Sequence, residues 1–470
     1  MPPEYDLAII GAGSGGLTAA GFAAQLGARV ALIEKNRIGG DCTWTGCVPS
    51  KALLKAAKVA HEVRRAERFG IGANAPAVDM GKVRAYVRQA IAQVYGFESA
   101  EELGKQGIEV MEGAARFVSP AAVAVGERIV RAKAFLVTTG ARPRIPAIAG
   151  LRDVPFATYE QIFENDRLPR SMIVVGAGPV GMEMAQAYRR LGAEVTVVAG
   201  RGRLLPKQEP EVRELMQRVF EREGIRFVWG RAASARRRGE EIVVAAEGGE
   251  ACGDLLLIAS GRSPAVAGLD LENAGVDYSP DGIRVDRWLR SSVKHIYAAG
   301  DVTGGPQFTH LAGWQAFQAA RNALLPGSAS GQPGLVPWTT FTDPEVAHVG
   351  LTEEQARSRF GGDVTVGRWE LGRTDRAVCE DERDGFVKLI AKRNGRLLGA
   401  TVASSRAGET IAELTVAVRR KLKVAELAGV IHAYPTYATG VQQLASGMAV
   451  ARVFSGASGK IVRKLSRIGG

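Results

Sequence analysis

Leu7-Ala8-Ile9-Ile10 is apolar without interruption, the pattern of a short strand covered on both faces. It gives way at once to Gly11-Ala12-Gly13-Ser14-Gly15-Gly16 and then to an Ala-rich stretch ending at Leu26, which predicts a tight turn opening into a helix. A second apolar run, Arg29 to Ile33, closes on an acid, Glu34. The order returns later as Met172-Ile173-Val174-Val175, then Gly176-Ala177-Gly178-Pro179-Val180-Gly181, a helix to Leu191 and a strand from Glu194 to Val198. Between the repeats, 51–104 reads as mostly helical and 108–138 as short strands leading into Thr139-Gly140. Leu255-Leu256-Leu257-Ile258 and Ile296-Tyr297-Ala298-Ala299 predict two further strands, closing on Gly261-Arg262 and Gly300-Asp301. Pro326 to Pro337 is a Gly/Pro/Ser-rich linker, and 338–470 mixes strands with helices such as Glu409–Leu422.

Strand, glycine turn and helix in this order form a nucleotide cradle. The glycines let the backbone approach a pyrophosphate, which rests on the helix N-terminus. Glu34 stands twenty-three residues after Gly11, placed to accept from a ribose hydroxyl. Two cradles imply an α/β chain with two Rossmann-like dinucleotide-binding domains and two cofactors. The same count from Gly176 reaches Ala199, with Arg201 and Arg203 just beyond. A strand end without a carboxylate and with guanidinium groups at hand suits a 2′-phosphate, so NADPH is expected over NADH. The expected division is 1–150 and 271–335 for the first nucleotide domain, 151–270 for the second, and 336–470 for a C-terminal α+β domain.

Cys42 and Cys47 follow the first cradle, in Gly39-Gly40-Asp41-Cys42-Thr43-Trp44-Thr45-Gly46-Cys47-Val48-Pro49-Ser50-Lys51. Pro49 belongs in a first helical turn, which puts Cys47 at or near a helix N-terminus. The helix dipole and Lys51 then favour a thiolate. A structural zinc site needs four ligands, but Cys252 and Cys379 are isolated, the five histidines are scattered, and no metal site is expected. Two thiols beside a redox cofactor can instead hold an electron pair as a disulfide. Cys252 and Cys379 read as inert structural thiols.

Composition narrows this little further. The net charge of +12 comes from arginines spread over the whole chain, and no recognition motif accompanies them, so nucleic acid is not an expected partner. No apolar run reaches the ~18 residues that a membrane span needs. Strand-like residues begin almost at the N-terminus without a signal-peptide pattern, and a cytoplasmic protein is expected.

These elements in this order resemble the pyridine nucleotide-disulfide oxidoreductases, over nearly the whole chain. By resemblance, Gly11, Gly13, Ser14, Gly15, Gly16 and Glu34 hold FAD and Asp301 helps hold its ribityl chain, with Thr139 and Gly140 as further cofactor-binding candidates. Gly176, Gly178, Gly181 and Gly261 take the nicotinamide nucleotide, helped by Arg201 and Arg203. Cys47 takes the flavin-proximal role and Cys42 the outer, substrate-exchanging role. Lys51 and Glu183 match an ion pair beside the flavin, and the C-terminal domain implies a homodimer.

The resemblance departs at His432-Ala433-Tyr434-Pro435-Thr436-Tyr437-Ala438-Thr439. Tyr434 stands where the family's disulfide reductases carry a catalytic His, and Thr439 where they carry its Glu. A phenol with a pKa of about 10 shuttles protons poorly at neutral pH, and His432 is the substitute at hand. A Tyr at this place resembles the mercuric reductase-like branch, although that branch's paired C-terminal cysteines are not in Lys464–Gly470. Trp44 also stands where the family usually has Asn. The expected activity is transfer of electrons from NADPH through FAD and Cys42/Cys47 to an oxidised acceptor, with Hg(II) or another soft metal ion as the candidate. Alternatives are a reductase of a small disulfide, or a dihydrolipoamide dehydrogenase-like enzyme. A further alternative is a membrane-surface NAD(P)H:quinone dehydrogenase docking through the basic stretch Lys460–Arg467.

Overall fold

Along the first strand, Leu7 and Ile9 turn to one side and Ala8 and Ile10 to the other, and both sides are buried. A computed structural model describes residues 2–200 and 202–455, so Arg201 and the basic stretch Lys460–Arg467 lie outside the described residues. The chain divides into two compact units, Met1–Arg203 with Glu223–Pro333, and Leu204–Arg222 with the residues from Gly334 onward.

In the first unit, Tyr5–Ile10 is central in a parallel sheet, flanked by Val30–Glu34 and Arg128–Val137. Ile108–Glu112 extends it on one side and Ile296–Ala298 on the other, with Ile296 opposite Phe135. The late strand therefore closes a sheet begun nearly 300 residues earlier. Leu7, Ile9 and Leu32 pack on alanines of the helices Ser14–Gln25 and Thr309–Leu324, among them Ala19, Ala23, Ala316 and Ala319. Small residues on both helices let them approach closely. Ile10, Ile33 and Val137 face a second cluster with Phe117 and Phe135, whose rings meet edge-on at 5.4 Å. Burial on both faces is why these strands read as solid apolar runs rather than alternating ones.

The repeat builds a smaller parallel sheet ordered Arg226–Trp229, Glu194–Ala199, Ser171–Val175 and Leu255–Ile258. Strand, turn and helix thus recur in the same spatial sense. An antiparallel meander, Ala232–Arg238, Glu241–Ala246 and Gly249–Gly253, adjoins it in sequence.

The second unit centres on an antiparallel five-stranded sheet, with Leu397–Ser404 paired between Glu345–Gly350 and Phe386–Lys392. Val387, Leu389, Ala400 and Val402 form its core with Ile411 and Leu414 of the helix Ala407–Arg419 and Val441 of the helix Thr439–Ser455. The helix Pro210–Arg222, drawn from the middle of the sequence, joins this unit. Lys388, whose side chain is 2% exposed, ties it there by reaching Glu209 at 3.3 Å, Glu211 at 2.7 Å and Glu353 at 2.8 Å. Removing one partner of so buried a charge leaves the rest uncompensated, at a cost of about 3–5 kcal/mol.

Candidate active site

The thiol loop is pressed onto the first glycine turn. The Gly39 N–H donates to the Ala12 carbonyl at 2.8 Å. Gly40 has a left-handed φ of 58°, and a methyl group there would lie 2.8 Å from Gly13 Cα, so only glycine permits this approach. Cys42 then sits on the short helix Gly40–Trp44, and Cys47 is the first residue of the helix Cys47–Arg64, with Pro49 in its first turn.

The two thiols, both reduced, have opposite acidities. Cys47 is lowered to about 6, first by a hydrogen bond from the Cys42 thiol. A second bond with Thr309 Oγ1, at 3.2 Å, and the charge of Lys51 add to it. Cys42 is pushed far up by the same hydrogen bond, since it holds the shared proton, and by burial. The pair is thus skewed, Cys47 toward the thiolate and Cys42 toward the protonated thiol. Lys51 Nζ donates to Glu183 Oε2 at 3.0 Å, and the Glu183 side chain is 8% exposed. Their helices, Cys47–Arg64 and Pro179–Leu191, pack together, which brings two residues 132 apart in sequence into one pair.

Both glycine cradles are built alike. Gly13 and Gly178 are the N-caps of Ser14–Gln25 and Pro179–Leu191, and neither helix receives a side-chain cap. Ser14 and Gly15 lie in the first turn of the first helix. Its leading N–H groups are those a pyrophosphate would satisfy. Glu34 closes the first cradle, accepting from the Ala12 N–H at 2.7 Å and the Asn36 N–H at 2.8 Å. In the second, the strand Glu194–Ala199 ends without a carboxylate, and Arg203 beyond it is exposed. Thr139 Oγ1 donates to the Ala265 carbonyl at 2.8 Å, Gly140 takes a left-handed φ of 70°, and Gly261 lies against the Arg144 guanidinium.

Asp301 is buried and already partnered, accepting from Arg262 Nη1 at 2.7 Å. Burial pushes its carboxyl upward, and the guanidinium opposes the shift. The same Arg262 reaches Asp41 in the thiol loop and the hydroxyl of Tyr159. Asp41, Tyr159, Arg262 and Thr309 are site neighbours that motif reading does not single out, because their partners lie 100 to 260 residues away. Trp44 is packed rather than free, donating from Nε1 to the Ile38 carbonyl at 2.7 Å, with Tyr95 at 5.2 Å and the Arg37 guanidinium at 4.7 Å.

In the second unit, Tyr434 is 72% exposed and donates to Asp375 Oδ2 at 2.5 Å. That bond and the carboxylate's charge hold its phenol above the ordinary value, further from a proton shuttle at neutral pH. Thr439 is turned inward, donating to the Thr436 carbonyl at 2.6 Å. His432, for which the local sequence offers no orienting group, has one in space. Its Nε2 lies 2.7 Å from Glu413 Oε1, on the helix Ala407–Arg419, and its Nδ1 lies 3.0 Å from the Val430 carbonyl. Cys252 contacts Arg238 at 3.2 Å, whereas Cys379 is exposed rather than buried as a structural thiol would be. Among the described residues, no three His, Cys, Asp or Glu side chains gather to hold a metal ion, and no helix is long and apolar enough to cross a membrane.

Comparison with known proteins follows the same outline. The family model for pyridine nucleotide-disulphide oxidoreductases matches residues 5–316, and the model for their dimerisation domain matches residues 336–445. The chain is 37% identical over 451 residues to a mercuric reductase of Acidithiobacillus ferrooxidans, covering 93% of this chain and 82% of that protein. It is 35% identical over 460 residues to a dihydrolipoyl dehydrogenase of Thermus scotoductus, covering 94% and 97%. Among solved structures, a HOCl-induced flavoprotein disulfide reductase from Escherichia coli, also solved as a Cu(II) complex, superposes with a TM-score of 0.86 at 27% identity, over 94% of this chain and 99% of that one.

Proposed function

Because the chain belongs to the pyridine nucleotide-disulphide oxidoreductases, FAD-dependent enzymes that use a pyridine nucleotide, we propose that this one carries electrons from NADPH through Cys42/Cys47 to Hg(II) or another soft metal ion. The observation that carries the reading is the thiol pair itself, Cys47 at the start of its helix and bonded with Thr309, beside a Lys51–Glu183 ion pair.

The cradle fits FAD, since its helix N-terminus is uncapped and Gly11 and Gly16 leave no room for a Cβ. Gly11, Gly13, Ser14, Gly15 and Gly16 would face the pyrophosphate, Glu34 the ribose, and Thr139, Gly140 and Asp301 the ribityl chain. Bound there, FAD would supply a hydride acceptor for the nicotinamide and an electron-pair donor for a Cys42–Cys47 disulfide. Gly176, Gly178, Gly181, Gly261, Arg201 and Arg203 would hold the nicotinamide nucleotide. Ala199 at the strand end and the exposed Arg203 favour NADPH. Lys51 holds positive charge where electrons arrive, and Glu183 keeps it in place. Cys47 stays poised as thiolate while Cys42 exchanges with the acceptor.

Proton balance separates the acceptors. Reduction of Hg(II) follows NADPH + Hg(II) → NADP⁺ + H⁺ + Hg(0) and releases a proton. Reduction of a disulfide, NADPH + H⁺ + RSSR → NADP⁺ + 2 RSH, consumes one. Tyr434, with its phenol held high, suits the reaction that needs no proton donor. The likeness to mercuric reductases and to a reductase solved with Cu(II) supports the same choice. The oriented His432–Glu413 pair favours a second reading, a small organic disulfide with His432 as donor. We also propose a cytoplasmic homodimer formed through 336–445, where Ile431 is 93% exposed and Tyr434 72%.

The test is NADPH oxidation with Hg(II) offered as its dithiol complex, against small disulfides and an acceptor-free blank. Turnover that requires Hg(II) and vanishes in Cys42→Ser supports the metal reading. Turnover with a disulfide alone, lost in His432→Ala, replaces it with the second.

A further inference from the structure

The short helix that carries Cys42 is held from outside by three neighbours of that thiol. Thr43 Oγ1 donates to Glu98 Oε2 at 2.8 Å, and Trp44 donates to the Ile38 carbonyl. The third is Asp41, and it is the ionic tie. Arg262 Nη2 donates to Asp41 Oδ2 at 2.5 Å, and the Tyr159 hydroxyl donates to the same oxygen at 3.1 Å. Arg262 spends its other N–H groups on Asp301 Oδ2 at 2.7 Å and on the Tyr159 oxygen at 3.2 Å. The Tyr159 ring also lies 5.3 Å from the guanidinium carbon. One guanidinium thus joins the residue before Cys42 to the carboxylate expected against the flavin. Cys47 is fixed by its own helix, and Thr309, which bonds Cys47, also meets the Cys42 thiol.

We infer that Asp41 and Arg262 are positioning residues that hold Cys42 against Cys47 and thereby set the reduction potential of the pair. The inference rests on the redox-pair reading above. A disulfide is favoured in proportion to the effective concentration of one thiol at the other, and anchoring the mobile partner raises that concentration. Cys47 needs no such anchor, being the first residue of a long helix. Because Asp41 and Asp301 share Arg262, the anchor also connects the thiol loop to the wall of the flavin site.

The experiment equilibrates holoenzyme with mixtures of reduced and oxidised dithiothreitol, quenches with acid, and counts alkylated Cys42 and Cys47 by mass spectrometry, with bound flavin measured in parallel. Asp41→Asn keeps the shape and loses the charge. It should shift the dithiol–disulfide equilibrium about tenfold toward the dithiol, a rise of about 30 mV, while flavin content stays as in the parent. Asp41→Glu should recover most of the shift. Tyr159→Phe, which removes the weaker bond, should move the equilibrium roughly threefold the same way. Arg262→Lys should move it too and also loosen FAD, and combining it with Asp41→Asn should add nothing further. Unchanged midpoints in both Asp41→Asn and Tyr159→Phe overturn the inference and leave the redox pair standing. If the parent forms no Cys42–Cys47 disulfide at any mixture, the redox-pair reading fails and this inference with it.

Discussion

A methyl group on Gly16 would stand 1.9 Å from the carbonyl oxygen of Gly11, and one on Gly181 would stand 1.9 Å from that of Gly176. Gly11 and Gly176 share a left-handed turn, with φ of 102° and 124°, and each presses against the end of a neighbouring strand, at Thr138 and Ala259. The two cradles are therefore the same solution to one problem, bringing backbone N–H groups up to a pyrophosphate without a side chain between. They differ one strand later. Glu34 closes the first with a carboxylate fixed by two backbone N–H groups, whereas Ala199 closes the second with nothing that can accept from a ribose hydroxyl. The repeated cradle suits one class of ligand, and in the proposed function the residue at the end of the second strand distinguishes the two.

Exchanging glycine for alanine should break the symmetry most severely. Gly16→Ala must push the turn open against backbone, at a cost of about 3 kcal/mol, so FAD affinity should fall about a hundredfold. The protein should purify without its yellow absorbance. Gly181→Ala should do the reverse, keeping the flavin while its reduction by NADPH, followed by stopped flow, becomes about a hundredfold slower at limiting nucleotide. If both variants lose FAD alone, the cradles are not separate sites.

A smaller effect should come from the strand ends. Glu34→Gln should weaken FAD roughly tenfold, as measured by flavin fluorescence on dilution, because it removes a charged acceptor. Arg203→Ala should lower kcat/KM for NADPH by roughly fivefold and leave NADH unchanged, the modest size reflecting an exposed side chain. An equal loss for both nucleotides would remove Arg203 from the 2′-phosphate site.

The thiol pair gives a shift in titration of comparable size. In the reduced protein, thiolate absorbance near 240 nm should rise with a midpoint of about 6 at Cys47. The sign follows from the charges nearby: Lys51 favours the thiolate, so Lys51→Met should raise the midpoint by about one unit, equivalent to about 1.4 kcal/mol. The same depression ties stability to pH. The contribution from Cys47 is complete above the unfolded thiol value of 9 and is lost as pH falls through 6. A midpoint unmoved by Lys51→Met would assign the effect to Cys42 and Thr309 alone.

What could be read from the sequence follows the range of the interactions. The cradles, the buried strands and Cys47 at the start of a helix are written in consecutive residues, where spacing and turn chemistry suffice. Lys51–Glu183 needed the resemblance, since its members stand 132 residues apart. The Asp41–Arg262 tie spans 221 residues and the Cys47–Thr309 bond 262, and no periodicity marks either. His432 is a milder case. Its partner Glu413 is nineteen residues upstream on an amphipathic helix, and only the fold aims that carboxylate at the imidazole. The union of Pro210–Arg222 with the C-terminal sheet depends on Lys388, a buried cation whose neighbours along the chain are apolar.

The proposed function requires Cys42 and Cys47 to form a second redox centre beside FAD. Anaerobic titration of the oxidised holoenzyme with dithionite, followed through the flavin absorbance and by thiol counting, tests it most directly. The parent should take up four electrons per flavin and Cys42→Ser two, with two fewer thiols appearing on reduction of the variant. Two electrons per flavin in both proteins, with no new thiols, would contradict it.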